Sequence, residues 1–297
     1  MRYVRFCDQE NVQTGILFGE DQLVPVKEIV SELNGADMIT VMNYVVNHPE
    51  FVSLAEKTGP EAKRLSLQDV RILSPIERPI HDVICVGVNY MEHVKETQKG
   101  LDKNFQRPQK AIYFSKRAIR IIGPEETIEA CLSLDPSLDY EAELAVIIGK
   151  GGKGIKPEEV PDHIFGYSVF NDLSSRNLQH DHVQWYLGKS LDTYTAMGPC
   201  IVSADEIQYP PCLAISSTVN GELRQNSNTE YFIHGISEMV AEISEGMTLE
   251  CGDIIATGTP SGVGMGFTPG KFMKDGDVVT CEIEKIGVLR NYVKALG

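Results

Sequence analysis

The stretch Leu138-Asp-Tyr-Glu-Ala-Glu-Leu-Ala-Val-Ile-Ile148 constrains the fold more than any other part of the chain. Residues 144–148 are continuously apolar, as in a strand covered on both faces. Successive side chains on a strand alternate between its faces, so Glu141 and Glu143 point the same way. Two carboxylates thus stand at the mouth of a strand that other layers must bury. Taken alone, this motif has a simpler account in an ordinary solvent-facing strand end.

A third acid changes that balance. Residues 165–170 form another apolar strand, and Asp172 follows at its end, where it can join Glu141 and Glu143 across neighbouring strands. Three carboxylates offer hard oxygen ligands, which suit Mg2+, Mn2+ or Ca2+ and not zinc. They leave coordination positions for water and for a bidentate ligand such as a 2-oxo carboxylate.

Residues 1–73 read as a small α/β unit, with strands over 3–6, 14–18 and 23–26 and helices over 36–47 and 51–63. The segment 74–80 contains Pro75 and Pro79, which suit a linker and not a central strand. The expected division is therefore a small N-terminal domain over 1–73 and a catalytic domain over 74–297. The second part is rich in short strands, at 83–88, 142–148, 165–170, 213–219, 253–257 and 278–283. Helices are expected near 156–159, where proline and acids open a turn, and over 231–245, where apolar residues recur at helical spacing. Many strands with few helices argue for an α+β domain on a folded-over, mainly β core.

Asp and Glu total 42 against 27 for Lys and Arg, a net charge of −15. Such a surface repels nucleic acid and anionic lipid, so neither is expected as a partner. It also repels an anionic substrate, so an acid-binding site needs local cations or a metal. The seven cysteines are odd in number with no CxxC pair, which suggests neither a disulfide framework nor a zinc knuckle. No apolar run approaches the ~20 residues that span a bilayer. The first ten residues carry charges where a secretory leader needs an apolar core, and the expected location is the cytoplasm.

Three further motifs carry chemistry. Lys189, in Gly188-Lys-Ser190, suits neutralisation of a developing enolate charge, and without upstream glycines it is not a phosphate loop. The turn Thr257-Gly-Thr-Pro-Ser-Gly-Val-Gly264 presents hydroxyls and backbone N–H groups that can hold a carboxylate, or is simply a tight loop. His93 and Glu96 are three apart and share one face of a helical turn, as in an oriented base or an exposed pair. His180-Asp-His182 lies in a polar connection without a third His or Cys nearby and is read as loop.

In this order the motifs GVNYMEHVKE, LDYEAELAVIIGK, GYSVFNDLSSRNLQ, GKSLDT, the Gly198-Pro199 pair and ATGTPSGVG resemble the fumarylacetoacetate hydrolase (FAH) family. They span about 83–266, and GDVVTCEIEKIG over 276–287 fits its closing strands. The resemblance implies an FAH-type mixed β-sandwich or β-roll catalytic domain, a homodimer, and a divalent metal, Mg2+ or Mn2+, with Ca2+ able to replace it in a crystal. It assigns Glu141, Glu143 and Asp172 to the metal. His93 and Glu96, on a mobile lid, activate water, and Lys189 supports the enolate. Thr257, Thr259 and Gln179 meet the substrate.

Two places depart from the family pattern. The usual S-A-R-D reads Ser174-Ser-Arg-Asn177, and Lys-Pro reads Lys116-Arg117. Arg117 and Arg120 either meet a second substrate carboxylate or form a solvated basic face. The expected activity is metal-dependent hydrolysis of a C–C bond in an acylpyruvate-type 2,4-dioxo acid. Oxaloacetate decarboxylation and hydroxymuconate-type isomerisation or lyase chemistry use the same apparatus. The alternative from another class is a non-catalytic metal- or ligand-binding protein that keeps only the fold.

Overall fold

A computed structural model describes residues 1–100 and 104–296. The strand Ala142–Ile148 is buried along its whole length because it lies near the middle of an eleven-stranded sheet. From one edge the order is Leu65–Ser66, Gln22–Pro25, Asn11–Phe18, Arg2–Asp8, Thr195–Ser203 and Ile164–Asp172. Then come Ala142–Ile148, Ile254–Ala256, Val83–Gly87 and Ile112–Lys116, with Arg71–Leu73 beside Arg2–Asp8. A five-stranded sheet runs Glu222–Asn228, Ala214–Val219, Val278–Ile283, Gly287–Ala295, Thr127–Ala130.

Alternation along the central strand sorts its side chains between two cores. Ala142, Leu144, Val146 and Ile148 pack with Ile215, Val279, Cys281, Ile283 and Leu289, so this core fills the space between the sheets. Ala145 and Ile147 join the second core, with Val41 and Met42 of helix Met38–Asn47 and Phe51 and Ala55 of helix Phe51–Thr58. The result is the expected α+β sandwich, with helices over the outer face of the larger sheet.

The same alternation positions the acids. Glu141 and Glu143 continue the odd-numbered row past Ala145. Antiparallel pairing sets Ala142 against Asn171 and Glu143 against Phe170. At the strand mouth the Asp172 N–H donates to the Glu141 carbonyl at 3.0 Å, and the Glu141 N–H donates to Asn171 Oδ1 at 3.0 Å. The strand expected over 165–170 runs as Ile164–Asp172 and carries Asp172 within it.

The first 73 residues extend the larger sheet, because Arg2 and Tyr3 pair with Val202 and Ile201. The proline-marked segment 74–80 connects two strands of that one sheet, Arg71–Leu73 and Val83–Gly87.

Helix expectations need three corrections. No α-helix forms at 156–159; a 3-10 turn, Val160–His163, follows instead, because Pro161 has no N–H to bond the carbonyl of residue 157. The helix expected over 231–245 begins at Ile236, with Gly235 at its N-cap. Phe232 lies outside it, edge-to-face with Tyr90 at 5.2 Å. The helix expected over 51–63 ends at Thr58, before Gly59-Pro60. No helix among the described residues is long and apolar enough to cross a membrane.

Candidate active site

A cavity of about 440 Å3 opens at the mouth of the central strand, and its polar end is lined by His93, Glu141, Glu143, Arg176, Gln179 and Lys189. Lys189 closes helix Tyr186–Lys189 and is buried. Its Nζ donates to Glu141 Oε2 at 2.6 Å and to Asp172 Oδ2 at 2.7 Å. Lys116, the fully buried last residue of strand Ile112–Lys116, lies 2.7 Å from Asp172 Oδ1. It donates to the carbonyls of Leu173, at 2.9 Å, and Lys189. Arg176, at the start of helix Arg176–Asp181, bridges three groups: Glu141 Oε1 at 2.6 Å, Asp139 Oδ2 at 2.8 Å and Gln179 Oε1 at 2.9 Å.

Burial makes these charges matter, since a low-dielectric site screens them poorly. Burial raises the Glu141 carboxyl, yet Lys189, Arg176 and His93 outweigh it and hold it at about 2. Glu143 is pushed well above the usual carboxylate range, first by burial and then by the charges of Asp172 and Glu141. Burial drives Lys116 down, whereas the Asp172 and Glu141 carboxylates outweigh burial at Lys189 and raise it.

The carboxylates of Glu143, Glu141 and Asp172 crowd one buried volume, and this crowding helps keep Glu143 protonated until a cation relieves it. Ligand oxygens of Glu141, Glu143 and Asp172 all lie within 4.8 Å of one another. An all-oxygen set of three crowded carboxylates fits a hard divalent cation.

The helix Met91–Gly100 brings a second group of residues to the cavity. His93 Nδ1 lies 2.8 Å from Glu96 Oε2, and Glu96 Oε1 accepts from the Gly262 N–H at 2.8 Å. A carboxylate at Nδ1 takes the ring hydrogen there and leaves Nε2 as the basic nitrogen. Asn89, just before the helix, donates to the carbonyls of His234 and Thr257 at 3.1 and 2.8 Å and ties it to the 257–264 turn.

The chain matches the family description "Fumarylacetoacetate (FAA) hydrolase C-terminal" over residues 82–294. The chain belongs to the fumarylacetoacetate hydrolase family. It is 37% identical over 290 residues to oxaloacetate tautomerase YisK of Bacillus subtilis (strain 168), covering 94% of this chain and 95% of that one. Among solved structures, the fumarylacetoacetate hydrolase EaFAH from Exiguobacterium antarcticum superposes with a TM-score of 0.84 at 36% identity, covering 100% of both chains. Maleylpyruvate hydrolase from Sphingobium sp. SYK-6, in complex with manganese(II) ion and pyruvate, superposes with a TM-score of 0.80 at 27% identity, also over 100% of both.

Within this FAH-family frame, most residues singled out in the sequence converge. His93, Glu141, Glu143, Gln179, Lys189 and Thr259 line one cavity, Glu96 holds His93, and Asp172 holds Lys189. Three others do not line it. The Thr257 hydroxyl donates to the Leu144 carbonyl at 2.8 Å, which makes it a brace between strands. Arg117 is exposed, and its backbone N–H donates to Ser190 Oγ at 3.1 Å. Arg120 pairs with Glu126. Thr259 reaches the cavity, but its hydroxyl donates to the Ala142 carbonyl at 2.9 Å and accepts from Gln225 Nε2 at 2.7 Å. His180 belongs to helix Arg176–Asp181 and lines the cavity, contrary to its reading as loop.

The residues that sequence reasoning passed over are Lys116 and Arg176. Both stood inside quoted motifs, and the acidity of the chain already required local cations. The departure at Asn177 has a local reason: its Nδ2 donates to the buried Asp135 Oδ1 at 3.0 Å, which an aspartate there could not do when ionised.

Proposed function

We propose that this chain is an enzyme of 2-oxo acid enol chemistry, with keto–enol tautomerisation of oxaloacetate as its reaction. The observation that carries this reading is that His93, oriented by Glu96, shares one cavity with the Glu141–Glu143–Asp172 cluster and Lys189. Similarity to YisK over nearly all of both chains favours tautomerisation among the reactions such a site can run. A divalent cation, Mg2+ or Mn2+, held by Glu141, Glu143 and Asp172, would supply Lewis acidity to the 2-oxo group.

His93 Nε2 takes the C3 proton of the keto form. The C–H electron pair becomes the C2=C3 double bond, and the C2 oxygen takes up negative charge until a proton from solvent reaches it, while the imidazolium releases the C3 proton to solvent. Lys189 and Arg176 offset that charge without reorganising, because their partners already fix them. Glu96 stabilises the imidazolium through Nδ1. In the reverse direction the same ring returns the proton to C3. A homodimer, from the family resemblance, and a cytoplasmic location, from the charged first ten residues, are part of this reading.

Cavity size favours a second reading, C–C hydrolysis of an acylpyruvate. About 440 Å3 exceeds what a four-carbon diacid needs and lies within the range of about 300–1,000 Å3 typical of larger ligands. There His93 deprotonates water, the water oxygen adds to C4, the C3–C4 bond breaks, and the released pyruvate enolate is protonated at C3.

Parallel ultraviolet assays of the oxaloacetate enol and of acetylpyruvate, with Mg2+, Mn2+ or EDTA, test both. Metal-dependent decay of the enol band, slowed about 10^2- to 10^4-fold in His93→Ala, is the expected result. Loss of acetylpyruvate in place of that decay establishes hydrolysis. Failure of the protein to accelerate either reaction overturns the proposal.

A further inference from the structure

The cavity has a second wall that the acid–base chemistry leaves unused. It starts beside Lys189, whose Nζ lies 5.3 Å from the Phe114 ring centroid. Trp185 meets Phe114 edge-to-face at 5.2 Å, with 72° between the ring planes. The indole lies directly on Gly87: a Cβ at Gly87 would fall 2.5 Å from Trp185 Cζ3 and 2.8 Å from Cη2. Only a residue without a side chain lets the indole occupy this place. Around it the cavity is lined by Val86, Val88, Phe105 and Met265, none of which carries a charge.

Trp185 and Lys189 are also coupled in position. The Lys189 N–H donates to the Trp185 carbonyl at 3.1 Å, so one helical turn separates the cation from the indole. Four residues of helix rise about 6 Å. A ligand whose 2-oxo carboxylate lies at the polar end thus brings whatever follows C4 against the indole. Lys189 is already engaged by Glu141 and Asp172, and burial and Arg176 hold the other titratable lining residue of this wall, His180, toward its neutral form. A second carboxylate would therefore gain little there, whereas a flat apolar group would gain aromatic contact.

We infer that Trp185, seated on Gly87 and against Phe114, is the specificity-determining residue of this site and selects 2-oxo acids extended beyond C4 by a planar, uncharged group. The inference rests on the second reading above, an acylpyruvate-type substrate, because oxaloacetate ends at C4 and offers the indole nothing to hold. Both readings share the 2-oxo acid head at the polar end.

Trp185 is the single tryptophan of the chain, so its fluorescence reports on this wall alone. Two probes separate head from tail in the Mn2+-loaded protein: oxalate, which has only the head, and 2-oxo-4-phenylbutanoate, which adds a ring but no bond the site can hydrolyse. The ring-bearing probe changes Trp185 emission at saturation and oxalate leaves it nearly unchanged. By calorimetry, the preference for the ring-bearing probe over oxalate falls at least about 10-fold in Trp185→Ala and stays within about threefold in Trp185→Phe. An unchanged preference in a folded Trp185→Ala protein overturns the inference and leaves the head reading standing. Absence of oxalate binding to the wild-type protein overturns the head reading, and the inference with it.

Discussion

Gly262 and Glu96, separated by 166 residues, are joined by a hydrogen bond: the Gly262 N–H donates to Glu96 Oε1 at 2.8 Å. The other Glu96 oxygen accepts from His93, so the position of the His93 ring depends on a glycine-rich turn far away in sequence. This turn is itself fixed by Tyr140, whose hydroxyl donates to the Gly262 carbonyl at 3.0 Å. It is fixed also by Asp139, which accepts from the N–H groups of Gly264 and Met265 at 2.6 and 3.0 Å.

That relationship makes Gly266→Ala informative. A Cβ at Gly266 would lie 1.9 Å from Glu96 Oε1. The clashing atom is the end of a movable side chain, so the fold survives while Glu96 shifts. We expect kcat to fall about 100-fold with the melting temperature nearly unchanged, since small misplacements of catalytic groups cost rates of that order. A variant with wild-type kcat would show that His93 does not need this anchor.

Removing a carboxylate from the acidic cluster separates metal binding from folding. Glu141→Ala is expected to weaken Mn2+ binding more than about 100-fold, beyond the 10- to 100-fold typical of supporting contacts. Electron paramagnetic resonance of free Mn2+ reads the affinity and circular dichroism reads the fold. Retained affinity in a well-folded variant would remove the cluster from the metal site.

Arg176 tests whether the buried charges depend on one another. Its guanidinium bridges Asp139 and Glu141 with both partners buried. Arg176→Met leaves those carboxylates less compensated. The expected loss is about 3–5 kcal/mol, the usual cost of breaking a buried pair from one side. Urea unfolding measures it, and a loss under about 1 kcal/mol would mean that Lys189 alone balances Glu141.

His81 supplies a pH-dependent test away from the cavity. Its Nδ1 lies 2.7 Å from Asp253 Oδ1, and this bond raises its pKa above 6.5, more than partial burial lowers it. A raised pKa stabilises the folded state of the protonated form. The contribution is full below pH 6.5 and is lost as pH rises through the folded value. Nuclear magnetic resonance titration should place His81 above 6.5, and Asp253→Asn should return it to the ordinary range. An unshifted His81 in the wild-type protein would mean the pair does not form.

Much of the site was legible because strand alternation is a local rule. Spacing alone put Glu141 and Glu143 on one face, and the (i, i+3) spacing put His93 beside Glu96. Local rules failed where residue type and fate separate. Thr257 and Thr259 both looked able to hold a carboxylate, yet their hydroxyls bond the backbone of the central strand. Arg117 could be read either as a substrate contact or as part of a solvated face; it is exposed, and its neighbour Lys116 is the one that turns inward to Asp172.

The sequence by itself determined the buried strand, the acids at its mouth and the histidine–glutamate pair, because each depends on the geometry of neighbours along the chain. Only the tertiary structure decided the rest. It joined residues 1–73 to the large sheet through Arg2 and Tyr3, turned Lys116 and Arg176 onto the acids, and laid Trp185 on Gly87. Those outcomes depend on which distant residues share a buried volume, where an unpaired charge or an overlapping atom is too costly to keep.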